Sequence, residues 1–163
     1  MAQGADDQCP DADPVAVARE IALRRLTVRA RSRAELEADL ARRNVPEEAA
    51  TAVLDRFEEV GLVDDADFAR MWVTSHPGVS ARRLRDGLRA KGIDGEHIEA
   101  AVGAVTSEDD LDSARALATK KLRSLGNQTD VVRDRRLAGA LARRGFGSSV
   151  VSQVLREVRA GEL

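Results

Sequence analysis

Three segments of this chain repeat one another: SRAELEADLARRNVPEEAATAVL (32–54), ARRLRDGLRAKGIDGEHIEAAV (81–102) and DRRLAGALARRGFGSSVVSQVL (134–155). Leu36, Leu84 and Leu137 are equivalent, as are Leu40, Leu88 and Leu141, and the i, i+4 spacing within each pair puts both leucines on one helix face. A basic residue (Arg43, Lys91, Arg144) then precedes a helix stop suited to left-handed backbone (Asn44, Gly92, Gly145), and an apolar residue (Val45, Ile93, Phe146) follows. After each stop comes a second helix, with inward positions Ala50, Ile98 and Val151, then Val53, Ala101 and Val154, then Leu54, Val102 and Leu155. One further helix precedes each pair, so the unit is three helices recurring about every 50 residues. A unit this small does not bury its apolar face alone. Stacking predicts an all-α protein of three tandem three-helix repeats forming an elongated, curved array, with a long exposed surface suited to gripping an extended partner.

Local signals place the boundaries. Residues 1–12 are acidic, nearly free of apolar side chains and expected to be disordered. Repeats are expected over 13–63, 64–107 and 108–163. Asp13-Pro14 caps and opens the first helix, which Ile21, Leu23 and Leu26 carry to about residue 30, and Pro46 and Gly61 open and close a later helix. No period-2 run suggests a sheet. With one Trp, three Phe and no Tyr, the core must be aliphatic. Cys9 is the only cysteine, so neither a disulfide framework nor a thiolate metal cluster is available. No uncharged run approaches the roughly 18 residues of a membrane span, and the start lacks a basic-then-apolar export pattern, so a cytoplasmic setting is expected.

GLVDDADFARMW (61–72) raises the question of catalytic or metal-binding carboxylates. A structural reading suffices: Gly61 ends one helix, Leu62 and Val63 pack across that end, Asp64 or Asp65 caps the next helix, and the helix dipole favours the remaining carboxylates. Phe68, Met71 and Trp72, at i, i+3 and i+4, are expected to form one buried face, as Leu84 and Leu88 do in the following helix. Asp109, Asp110 and Asp112 repeat the arrangement ahead of Ser113, Ala114 and Leu117. Hard metals need converging oxygens rather than neighbours on one turn. His76 and His97 have no nucleophile beside them, and no phosphate-binding glycine loop occurs. Neither an enzyme nor a cofactor or metal site is expected.

The remaining signal is arginine. The net charge is only −2, so contact with a polyanion must come from a local basic face. The candidates are Arg24, Arg25, Arg29 and Arg31 in the first repeat, Arg82, Arg85, Arg89 and Lys91 in the second, and Arg133, Arg135, Arg136, Arg143 and Arg144 in the third. Arg82, Arg85 and Arg89 lie about 100 to 160° around their helix from Leu84, away from the expected core. Planar guanidinium groups suit carboxylates and phosphates alike. Tight autonomous DNA binding does not fit the near-neutral charge, although a helix-turn-helix module binding DNA directly stands as the alternative to a protein-binding regulator.

GLVDDADFARMWV, SRAELEADL and VSARRLRDGLRAKGI, in that setting of repeats, resemble the RecX regulatory proteins of bacteria across roughly residues 17–158. Leu62 stands where the family often has an aromatic residue, and Pro77 where a basic residue is common. The resemblance implies a non-enzymatic modulator of the RecA recombinase that lodges in the groove of its filament on single-stranded DNA. It also implies suppression of ATP hydrolysis, filament growth and strand exchange, and so a role in recombinational repair and the SOS response. A monomer with weak direct DNA binding and no membrane contact is expected.

Overall fold

The structure, a computed structural model, describes residues 13–126 and 128–163; the acidic leader expected over 1–12, with Cys9, lies outside the described residues. Regular structure among the described residues is entirely helical: α1 (Pro14–Val28), α2 (Arg33–Ala41), α3 (Glu47–Glu59), α4 (Asp65–Ser75), α5 (Ala81–Ala90), α6 (Gly95–Val102), α7 (Ser107–Leu122), α8 (Asp130–Arg143) and α9 (Ser148–Ala160). The chain divides into two units, Met1–Asp64 and Asp65–Leu163.

In the first unit α1 opens at Pro14, and the Asp13 carboxylate accepts the Val15 N–H at 3.0 Å. This helix buries Ala18 and Ala22 completely, whereas Leu23 is 42% exposed. At about 100° per residue, Val15, Ala18, Ala22 and Leu26 share one arc, and Leu23 lies about 60° beyond its edge. Leu36 and Leu40 of α2 and Ala50, Val53, Leu54 and Phe57 of α3 complete this core, with Val63 closing it after the last helix.

The second unit has two cores. Phe68, Ala69, Leu84, Leu88, Ile93, Ile98 and Val102 form one, and Ala114, Ala118, Leu137, Leu141, Phe146, Val154 and Val158 the other. All six leucines of the sequence repeat are buried. The stops behave alike: Asn44, Gly92 and Gly145 have φ of 56, 73 and 89°. The residue after each donates its N–H back to the second leucine of the pair, Val45 to Leu40 at 3.2 Å, Ile93 to Leu88 at 3.1 Å and Phe146 to Leu141 at 3.3 Å. The sharp turn thereby swings an apolar side chain under the helix it has just left.

The N-terminus of α5 joins the two cores of the second unit. Ser80 donates its N–H to the Arg144 carbonyl at 3.1 Å, and Ala81 donates to the Asp110 carboxylate at 2.9 Å. Gly145 lies against this corner: a Cβ added there would stand 2.6 Å from both Arg83 Cβ and Ser80 Oγ.

Arg115 ties α7 to α9, its Nη2 and Nε donating to the two Glu157 carboxylate oxygens at 2.7 and 2.9 Å. These bonds hold the Glu157 carboxyl down at about 2, against an ordinary 4.5. A carboxyl depressed on folding stabilises the native state above its unfolded value and loses that contribution as pH falls through the folded one. The melting midpoint is therefore expected to drop as pH falls from about 5 towards 2. Glu157→Gln should melt earlier at neutral pH and show a shallower acid decline; an unchanged decline in that variant would show that the pair contributes nothing.

Candidate partner-binding surface

The aspartates of GLVDDADFARMW sit at a helix start. Helix α4 begins at Asp65, which leaves Asp64 at the N-cap position and puts Asp65 and Asp67 in the first turn. Asp67 pairs with Arg70 one turn on. Phe68 is buried and Trp72 half-buried, but Met71 is 51% exposed, contrary to the expected common face. The buried arc runs through Phe68, Trp72, Ala69 and Val73, and Met71 falls about 60° outside it. Leu62 is likewise 49% exposed, and only Val63 packs inward. The third repeat is punctuated differently from the expectation. Thr106 caps α7 in a reciprocal box with Asp109, which frees Asp110 to cap α5. No group of three or more His, Cys, Asp or Glu among the described residues is placed to hold a metal ion.

The arginines divide into two classes. In the first repeat Arg24 pairs with Glu20, and Arg29 grips both oxygens of Glu35 at 2.8 and 3.0 Å. Arg25 and Arg31 approach Asp39 Oδ2 at 3.2 and 3.4 Å, and Arg42 pairs with the same carboxylate, which is only 2% exposed. Sequence reasoning missed Asp39 as an organising residue. An acid one position before core Leu40 and followed by Arg42 and Arg43 is the local signal for it. In the second repeat Arg85 is half-buried and donates to Glu99 of α6 at 2.9 and 3.2 Å, holding that carboxyl below its ordinary range. Arg89 pairs with Asp86 at 3.2 Å, so of the expected stripe only Arg82 has no ion pair among the described residues. Lys91 stands 5.6 Å above the Trp72 ring, within cation–π range.

The third repeat supplies the second class. Arg133 pairs with Asp130 at 3.0 Å, but Arg135, Arg136 and Arg143 are exposed with no ion pair among the described residues. Arg144 reaches only the Pro77 carbonyl, at 3.4 Å. Lys121, Arg135, Arg136 and Arg143 line one groove across α7 and α8, of about 450 Å³. Arg143 also borders a second cleft of about 420 Å³, where Arg83 and Arg144 rim a floor that includes Trp72 and Leu84. Through Arg143 these form one basic surface within the second unit. Unpaired guanidinium groups are available to bind a carboxylate or phosphate partner without first breaking an internal ion pair.

Most of the chain is matched by relatives of one kind. Family models described as the first, second and third three-helix domains of RecX match residues 18–57, 64–102 and 108–155. The chain is 43% identical over 151 residues to regulatory protein RecX of Streptomyces coelicolor, covering 91% of this chain and 80% of that protein. Its identity to regulatory protein RecX of Mycobacterium avium is 44% over 149 residues, covering 89% and 86%. The fold is similar to the crystal structure of RecX from Lactobacillus salivarius, with a TM-score of 0.72 at 20% identity over 91% of this chain and 99% of that one. A second crystal structure, of a regulatory protein RecX, also gives 0.72, at 28% identity over 88% and 73%.

Proposed function

The chain belongs to the RecX family of regulatory proteins, and from that membership we propose that it acts without catalysis on the RecA recombinase, or on its filament on single-stranded DNA. In this reading it inhibits ATP hydrolysis, filament growth and strand exchange in the cytoplasm, and so tempers recombinational repair and the SOS response. The observation that carries the reading to particular residues is the segregation of the arginines. Arg24, Arg25, Arg29 and Arg31 of the first repeat are engaged by the chain's own carboxylates, while Arg135, Arg136 and Arg143 are unpaired among the described residues and converge on one exposed face. No helix among the described residues is long and apolar enough to cross a membrane.

Titrating the protein into a mixture of recombinase, single-stranded DNA and ATP while following hydrolysis tests this. Inhibition at less than one protein per recombinase subunit is the expected result. Inhibition only once the DNA itself is saturated would replace it with direct competition for DNA, and no inhibition would overturn it. Asp65→Asn is expected to inhibit like the unaltered protein, because Asp65 opens α4 and losing its charge there gives up only a helix-dipole contribution of about 0.3 to 1 kcal/mol. Loss of inhibition in a folded Asp65→Asn protein would assign the acidic turn a role beyond structure.

A further inference from the structure

We propose that the cleft beside Trp72 docks a short acidic segment of a protein partner, with one apolar side chain inserted against Trp72 and Leu84 and flanking carboxylates held by Arg83, Arg143 and Arg144. The inference rests on the reading above, that the second unit works by binding another protein, and it specifies the chemistry of what is bound.

The charge on the rim is one-sided. Arg83 and Arg143 have no ion pair among the described residues, and Arg144 has only the Pro77 carbonyl. The one carboxylate in the lining, Asp86, is already engaged by Arg89. Beneath the rim the surface turns apolar, through Trp72, Val79, Leu84 and Ala90. A cationic rim over an apolar floor complements a side chain such as leucine between acidic residues. The two sides of the cleft are tied together beforehand, because Ser80, next to Val79 in the lining, donates its N–H to the Arg144 carbonyl at 3.1 Å. A preformed site spares a ligand the cost of ordering it.

The same geometry disfavours a nucleic-acid strand in this cleft. Single strands are held by bases stacking on free aromatic faces. The indole of Trp72 lies in a ladder along α4, between Phe68 with centroids 6.2 Å apart and His76 at 4.0 Å. A Cβ added at Gly87 would stand 3.0 Å from Trp72 Cζ2, so the ring edge abuts α5. What the cleft is offered is the border of a ring whose faces are occupied.

Trp72 is the only tryptophan, so its emission reports this cleft alone. The full chain would be titrated with three probes: a blocked heptapeptide of aspartate and glutamate with a central leucine, the same peptide with serine at the centre, and an oligothymidylate of equal charge. The leucine peptide is expected to change the emission saturably and to weaken as salt is raised. The serine peptide and the oligothymidylate should bind about tenfold more weakly or not at all, and Arg83→Ala with Arg143→Ala should cost the leucine peptide at least about tenfold while circular dichroism stays unchanged. No saturable change with the leucine peptide, equal binding of the serine peptide, or an equal response to oligothymidylate would each overturn the proposal. Any of these results alongside normal inhibition of the recombinase would remove the cleft assignment only, whereas a protein that leaves recombinase hydrolysis untouched removes the reading beneath it.

Discussion

Gly145→Ala is expected to destabilise the second unit by about 2 to 5 kcal/mol. Two costs combine. At φ of +89° an alanine sits in left-handed backbone, a penalty of roughly 1 to 2 kcal/mol. Its Cβ would also stand 2.6 Å from Arg83 Cβ and from Ser80 Oγ, and because Arg83 Cβ is the fixed base of its side chain, the α8–α9 turn must move away from α5. Crowding of this kind typically adds about 1 to 3 kcal/mol and here also loosens the Ser80 to Arg144 hydrogen bond. Gly61→Ala is the matched comparison: its φ is +72°, but nothing lies within 4 Å of the added Cβ, so only the backbone penalty applies. In a domain near this size each kcal/mol shifts the melting midpoint by several degrees, so the two variants should separate by on the order of 10 °C. Midpoints that coincide would mean that the corner relaxes freely.

Replacing Arg135, Arg136 and Arg143 together with alanine is expected to abolish most inhibition of the recombinase while leaving the fold intact. All three are exposed and have no ion pair among the described residues, and surface changes of this kind usually shift stability by under about 0.5 kcal/mol each. Charge-assisted contacts are worth roughly 1.5 to 3 kcal/mol apiece before non-additivity, so the loss in affinity should reach two orders of magnitude or more. Alanine at Arg56, Arg70 and Arg159 removes the same charge from side chains already paired with Glu59, Asp67 and Asp134, and that protein should inhibit nearly normally. Equal loss in both triple variants would make the effect one of net charge, and undiminished inhibition by the first would place the interface elsewhere.

The helical repeat was readable because its determinants are local. Two leucines four apart, a left-handed stop and an apolar residue beyond it recur three times, and the backbone takes the same path each time. Misjudged positions lie at the edges of helix faces. Met71 is apolar and near the right phase, but which edge of the arc is covered depends on the helix packed against it. The buried alanines were there to be read as well: Ala18 and Ala22, and Ala114 and Ala118, repeat at i, i+4 in α1 and α7. Ion pairs were not readable, since Arg85 finds Glu99 14 residues away and Arg115 finds Glu157 42 away, partners that only the fold brings together. For that reason arginine density in the sequence pointed as strongly to the internally neutralised first repeat as to the third.

The capping of α5 by residues far ahead of it in the chain has a consequence for synthesis. Asp110 lies 29 residues beyond the Ala81 amide that it caps, and Arg144 follows near the chain's end. At translation rates of about 5 to 20 residues per second, α5 emerges seconds before the groups that complete its first turn. The middle repeat thus lacks these two hydrogen bonds until the last one arrives, so released chains truncated near residue 107 should be cut by protease within α5 where complete chains resist; equal resistance would show that the cap is dispensable.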